Sequence, residues 1–292
     1  MGKFRFSLCA LLAFVTGICI LLAAWIAPAV RERSRVSAIR RAGGFVHFES
    51  TKLPEGYLTH PTFVSLREGV SAESLAHVSR LTSVKSLDLS ESDVTDALLS
   101  HLNAPHLEDL SLYQTNVGDA GMSHVCRLSG LSQLTLNHTK VGDTGLESLV
   151  GLKNLYVLAL EGTDVGDAGL EHLSRITSLT CLDLTNTQVS DRGMQYIAAL
   201  PDLSLLYLDG TQVSDGALEN LRSMKTLVYI RLNETRVTDS GLEFLAELPH
   251  LEYINLHKTQ VSRDACLRLS RQMKPGAWVV SSSGHSIQTP LP

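Results

Sequence analysis

The sequence predicts an α/β solenoid of stacked repeats, and three observations carry that prediction. A phrase, T-x-V-x-D-x-G, returns at a step of 24 residues: Thr115, Val117, Asp119 and Gly121, then Thr139 to Gly145, Thr163 to Gly169, Thr187 to Gly193 and, one unit further on, Thr235 to Gly241. An L-x-x-L-x-L string precedes it, so Leu112, Leu136, Leu160, Leu184, Leu208, Leu232 and Leu256 recur at the same interval, with Leu89 a step of 23 before Leu112. Within each unit the apolar spacing changes from two residues to three, as a strand followed by a short helix requires. A fixed period of this size marks a chain of small units, none of which can bury its apolar face alone.

One unit, starting at Leu155, illustrates the elements in order. Leu158 and Leu160 flank Ala159, the alternation of a short strand. Thr163 and Val165 then turn the chain inward. Asp167 falls where a helix N-cap is expected, its carboxylate placed to accept from free backbone N–H groups. Leu170, Leu173 and Ile176 form one apolar stripe on a short α or 3₁₀ helix. Leu179 begins the next unit. A degenerate earlier unit runs from Phe63 to Leu81 with Leu66 as its strand residue, which brings the expected count to about nine parallel strands.

The pattern resembles the leucine-rich-repeat family, whose recurring core is L-x-x-L-x-L-x-x-(N/C)-x-L. Thr stands in place of Asn or Cys at 115, 139, 163, 187, 211, 235 and 259, and Ser at 92, with the hydroxyl expected to keep the ladder bond to backbone. The T-x-V-x-D-x-G-L variant behind one N-terminal apolar run looks like bacterial membrane-anchored leucine-rich-repeat proteins. The resemblance covers Phe63 to Met273. It implies a right-handed horseshoe, with a parallel β-sheet on the concave face and short helices on the convex one.

Outside the repeats, Leu8 to Val30 is a stretch of 23 residues without a charge, and a bilayer-spanning helix needs roughly 20. A cleaved signal peptide is the competing reading, since Ala27-Pro28-Ala29 fits the small-x-small rule. The run exceeds an ordinary signal h-region, so a single-pass transmembrane helix is expected. The domains are therefore a short tail at 1–7, an anchor at 8–30, a juxtamembrane linker and N-terminal cap at 31–62, the repeat domain at 63–273, and a C-terminal cap with a loose tail at 274–292. Phe45 to Phe48 is expected as a capping strand, Ala277 to Ser281 as the closure of the last repeat, and Gly284 to Pro292 as the loose tail. Arg31, Arg33, Arg35, Arg40 and Arg41 follow the apolar run while Lys3 and Arg5 precede it, so the positive-inside rule leans toward a cytoplasmic repeat body. Cys126, Cys181 and Cys266 are an odd, scattered set with no disulfide framework, which agrees with that lean.

Charge excludes one function class. The chain has 25 Lys and Arg against 30 Asp and Glu, a net of −5, with no basic stripe for nucleic acid. No phosphate loop, H-E-x-x-H or G-x-S-x-G string occurs, so the chain is expected not to be an enzyme and to need no cofactor. The column Asp96, Asp119, Asp143, Asp167, Asp191, Asp215 and Asp239 supplies one carboxylate per unit, whereas calcium loops cluster several oxygens; helix capping is the expected role. His101, His124 and Cys126 make three of the four ligands zinc prefers and are read as surface residues. Asn137-His138-Thr139 and Asn233-Glu234-Thr235 match glycosylation sequons only because their Thr belongs to the repeat.

Function is expected on the positions the repeat leaves free. Strand side chains alternate, so three columns share the open face: Asp109, Gln133, Val157, Cys181, Leu205, Tyr229, Tyr253; then Ser111, Thr135, Ala159, Asp183, Tyr207, Arg231, Asn255; then Tyr113, Asn137, Glu161, Thr185, Asp209, Asn233, His257. Three of the seven tyrosines gather beside Arg231, and Tyr and Arg are favoured at binding hot spots. The predicted partner site is Leu205, Tyr207, Asp209, Tyr229, Arg231, Tyr253 and His257, taking a protein or peptide. Cross-strand aromatic pairs that merely stabilise the sheet are the rival reading. A structural envelope or assembly protein without a discrete ligand, and a substrate-receptor subunit of a ubiquitin-ligase-like complex, are the other function classes.

Overall fold

The structure, a computed structural model, describes residues 31–48 and 61–289. The apolar run 8–30 lies outside them, and among the described residues no helix is long and apolar enough to cross a membrane. The described residues form one 12-stranded sheet whose strands pair in sequence order. These are β1 (Phe45–Phe48), β2 (Pro61–Ser65), β3 (Ser86–Asp88), β4 (Asp109–Ser111), β5 (Gln133–Thr135), β6 (Val157–Ala159), β7 (Cys181–Asp183), β8 (Leu205–Tyr207), β9 (Tyr229–Arg231), β10 (Tyr253–Asn255), β11 (Trp278–Val280) and β12 (Ser286–Gln288). Strands β2 to β11 are parallel, whereas β1 and β12 pair antiparallel at the two ends. Short helices join the strands: α1 (31–41), α2 (Ala72–Ser79), α3 (Asp96–Leu99), α4 (Asp119–Val125), α5 (Asp143–Leu149), α6 (Asp167–Leu173), α7 (Met194–Ile197), α8 (Asp215–Leu221), α9 (Leu242–Ala246) and α10 (Arg263–Gln272). A 3₁₀ turn, Asp239–Gly241, leads into α9.

The core lies between strands and helices and repeats with the sequence. In the unit from Leu155 the side chains of Leu155, Leu158, Leu160, Val165, Leu170, Leu173 and Ile176 are all buried, and their equivalents in neighbouring units stack on them as continuous columns. No unit can keep these side chains dry by itself, which is why the fold propagates by nearest-neighbour packing.

Three expectations at the ends of the chain are revised. Among the described residues the parallel strands number ten rather than nine, because Trp278–Val280 adds one more beside β10. Residues 286–288, expected in a loose tail, form β12, which pairs with the free edge of β11 and keeps it from an open row of N–H and C=O groups. Residues 31–41, expected as linker, form a helix with Val36 and Ile39 buried against the first repeat. The Arg35 guanidinium donates to the Arg80 carbonyl at 2.7 Å and ties that helix down.

The repeat phrase also works differently from expectation. Asp167 is the first helical residue, not the cap, and Gly166 holds the cap position without a side-chain bond. Its carboxylate reaches forward into the next unit, where Ser190 donates through its N–H at 2.8 Å and its hydroxyl at 2.6 Å. Every member of the column reaches forward to a backbone N–H of the next unit. Asp96, Asp119 and Asp143 accept from the N–H groups of Gly118, Gly142 and Gly166 at 2.7–2.8 Å. Asp191, Asp215 and Asp239 accept from Ser214, Thr238 and Ser262. Capping is thus displaced by one repeat, and the aspartates are staples between units. The glycine of the phrase follows from this: a Cβ on Gly145 would sit 2.5 Å from the Asp119 carboxylate. The threonine hydroxyls make no ladder between units. Thr187 Oγ1 donates to the Leu184 carbonyl at 2.6 Å, closing the turn inside its own repeat, and the other column members repeat that bond.

The bonds that do link the turns come from the residue before each Thr, which is left-handed in every unit. Gln114, His138, Asn186, Glu234 and Lys258 have φ of 52–58° there, a conformation that strains non-glycine residues. Their N–H groups donate to the next strand's end at 2.7–2.9 Å, which holds the strain in place. Gly162 takes the position where the imidazole of His138 fills the space a Cβ would need.

The last staple carries a pH signature. Hydrogen bonds from the Ser262 hydroxyl and N–H, helped by Arg268, hold the Asp239 carboxyl below its ordinary value. A depressed folded value stabilises above the unfolded value near 3.8 and is lost as pH falls through the folded one. Asp239→Asn is therefore expected to lower the urea midpoint at pH 7, with the gap to the parent closing as pH drops below about 4. A gap that stayed constant down to pH 2 would contradict the staple.

Candidate functional site

The open sheet face is built by register. Leu205, Tyr229, Tyr253 and Trp278 lie side by side in one column across β8 to β11, and Tyr207, Arg231 and Asn255 in the next. Between the columns Leu206, Ile230 and Ile254 point into the core and are fully buried, so their neighbours must point out. The rings of Tyr229 and Tyr253 stack at 4.5 Å between centroids and 3° between planes. Tyr207 meets Tyr229 diagonally at 5.3 Å and 44°.

Arg231 is held from two sides. Its guanidinium carbon lies 5.5 Å from the centre of the Tyr207 ring, a cation–π distance, and its NH2 group pairs with the Asp209 carboxylate. Asp209 is buried, and its other oxygen accepts the Asn233 N–H at 2.8 Å. Such a pair cannot wander, so the guanidinium is presented in one orientation. Burial, with Cys181 and Asp183 nearby, pushes the Tyr207 hydroxyl above its ordinary value despite Arg231. Burial and the two flanking tyrosines do the same to Tyr229. Both phenols are therefore neutral donors at physiological pH.

Of the expected residues, Tyr207, Asp209, Tyr229, Arg231 and Tyr253 form one contacting cluster, and Leu205 continues its edge next to Tyr229. His257 stands apart, two strands from Asp209; its N–H donates to Asn233 Oδ1 at 2.9 Å, and its buried Nδ1 has no hydrogen-bond partner among the described residues. Trp278 was not among them, yet it extends the aromatic column and remains 41% exposed. Its only signal in the sequence is a step of 25 residues from Tyr253, with no T-x-V-x-D-x-G after it.

The other candidate chemistries have structural occupations. Asn137 and Asn233 use their side-chain oxygens to accept the N–H groups of Glu161 and His257, which ties their amides to the sheet. His124 pairs with Arg127 at 2.9 Å, and among the described residues no group of three or more His, Cys, Asp or Glu is arranged to hold a metal. Burial raises the Cys266 thiol to about 11, and the Asp239 charge adds to that. Such a thiol is a core residue rather than a nucleophile.

A leucine-rich-repeat family model matches residues 175–198, one full unit. No curated protein matches the chain. Among solved structures, an internalin from Listeria monocytogenes superposes with a TM-score of 0.54 at 21% identity, covering 72% of this chain and 65% of that one. Internalin C2 from the same organism superposes with a TM-score of 0.53 at 25% identity, covering 67% of this chain and 80% of its own. This chain thus spans just under two thirds of the first of these. The repeated unit, the sequential parallel sheet and these likenesses define a leucine-rich-repeat solenoid. The fold is that of leucine-rich-repeat proteins, and residues 175–198 match that family's unit.

Proposed function

We propose that the chain is a recognition module that captures a protein or peptide on the sheet face from β8 to β11, tethered to a membrane by residues 8–30 with the repeat body on the cytoplasmic side. One observation carries the site: three tyrosines in ring contact, with Trp278 next to them in register, surround a doubly held arginine, in a chain where only 5% of residues are aromatic. Large rigid rings bring contact area with little rotamer entropy to lose, and a fixed Arg adds directional donors. The tether rests on the uncharged run and the side on the arginines after it.

The test places a photo-crosslinking amino acid in the full chain, in its native membranes, at Asn255 on the sheet face or at Glu147 or Glu219 on the helix face. Crosslinks to a second protein only from Asn255 are the expected result. Crosslinks between copies of this chain, dominated by the helix-face sites, would replace the recognition reading with that of an assembly protein. Digestion of the repeats by protease outside intact cells would reverse the membrane side.

A further inference from the structure

We infer that helix α1 is a membrane-surface element, its exposed arginines Arg31, Arg40 and Arg41 seating on anionic phospholipid headgroups so that the first repeat is held against the bilayer. The inference rests on the tether proposed above. A basic flank alone would be ordinary for a membrane protein, since topology needs only the charges. What is unusual here is that the charges sit on a rigid element docked to the solenoid.

Val36 and Ile39 face the repeat core and are buried. Arg35 is turned inward onto the Arg80 carbonyl, and Glu32, the only acid of the helix, accepts from the Ser83 hydroxyl. The exposed residues of the helix are Arg31, Arg33, Ser34, Ser37, Arg40 and Arg41. Arg40 is braced over the Phe48 ring at 5.5 Å, and Arg41 is anchored by its Nε to the Ser37 carbonyl at 3.3 Å. The outer face is therefore wholly basic or hydroxylic.

Two features of the chain choose the occupant. Residue 31 follows directly on the uncharged run ending at Val30, and at 1.5 Å per residue the helix spans only about 15 Å from that point. Its apolar side chains are already committed to the protein core, so α1 cannot sink into the acyl boundary as an amphipathic anchor does. Contact is restricted to headgroup charge, and must decay within about 8 Å at physiological salt. Each arginine near an anionic surface improves partitioning about fivefold, so three together reach roughly a hundredfold.

The test uses the full chain in lipid nanodiscs, with a trifluoromethyl-phenylalanine at Ser37 and a trace of gadolinium-headgroup lipid to broaden nearby fluorine signals. In discs containing anionic phosphatidylglycerol, broadening is expected at least fivefold above that in phosphatidylcholine alone. It should fall back in 0.5 M salt and in an Arg31→Gln/Arg40→Gln/Arg41→Gln variant whose melting temperature is unchanged. Equal broadening in the two lipid compositions, or an unaltered signal in the triple variant, would overturn the headgroup contact and leave the tether standing. A chain that does not enter discs at all would overturn both.

Discussion

Asp167→Ala is expected to destabilise the fold by about 2–4 kcal/mol, far more than a half-exposed helix residue ordinarily costs. The carboxylate accepts two bonds from Ser190 of the following unit, at 2.8 and 2.6 Å. Bonds to a charged group contribute about 1.5–3 kcal/mol each, and water recovers part of the loss where the site is open. The consequence is cooperative as well as local. In a solenoid each unit touches only its neighbours, so a weakened junction divides the array into blocks that unfold separately. Urea unfolding should broaden or split, and hydrogen exchange should quicken first in the units after residue 190. Ser190→Gly is the matched control: it keeps the N–H bond and reproduces the Gly118, Gly142 and Gly166 arrangement of the earlier repeats. Its cost should stay near 1 kcal/mol. A single sharp transition in Asp167→Ala, shifted by less than 0.5 kcal/mol on the ordinary surface scale, would show that the column does not join the repeats.

The staples are uneven along the chain. In the first half Gly118, Gly142 and Gly166 offer only an N–H, with Thr144 adding a hydroxyl to Asp119. From Ser190 onward, Ser214, Thr238 and Ser262 each add a hydroxyl to the same carboxylate. The doubled staples begin one strand before the aromatic surface and run beneath it. Stiffening of that half is what a pre-organised binding face requires, because less freedom is lost when a partner arrives.

Most of the architecture was legible in the sequence because the period itself encodes it. Leucines at two-residue and three-residue spacing separate strand from helix, and the 24-residue step sets the register that aligns Tyr229 with Tyr253. Which group each phrase residue bonds was not legible. A helix-capping aspartate and an inter-repeat staple share the same position in the chain; they differ in the direction of a carboxylate, and that is set by the neighbouring unit. The ends were hidden for another reason. Val36 and Ile39 are two apolar residues among charges, too few to announce a helix, and β12 exists because β11 has an edge to be paired. Trp278 escaped with them, since a capping strand lies outside the period that located the other columns.

Tyr229→Ala is expected to weaken capture of the crosslinked partner by 30-fold to 1000-fold, the range of about 2–4 kcal/mol that central aromatic anchors carry. Tyr229 is the ring that touches both others, stacked on Tyr253 at 4.5 Å and tilted against Tyr207 at 5.3 Å. Its removal leaves Tyr253 without one face of its stack and loosens the ring that braces Arg231, so the surface loses order as well as area. Tyr229→Phe keeps the stack and removes one hydroxyl; affinity should fall by less than about tenfold, the value of one neutral hydrogen bond. Tyr156→Ala, at an exposed ring bonded to Gln133 outside the cluster, should change affinity by less than about twofold. The rival reading makes a different forecast from the same variants. If the rings only stabilise an open sheet, Tyr229→Ala loses about 1 kcal/mol of folding stability, as cross-strand aromatic pairs do, and partner affinity is untouched. Measuring the melting temperature and the dissociation constant on one preparation separates the two, since a stabilising pair moves the first and a binding anchor must move the second.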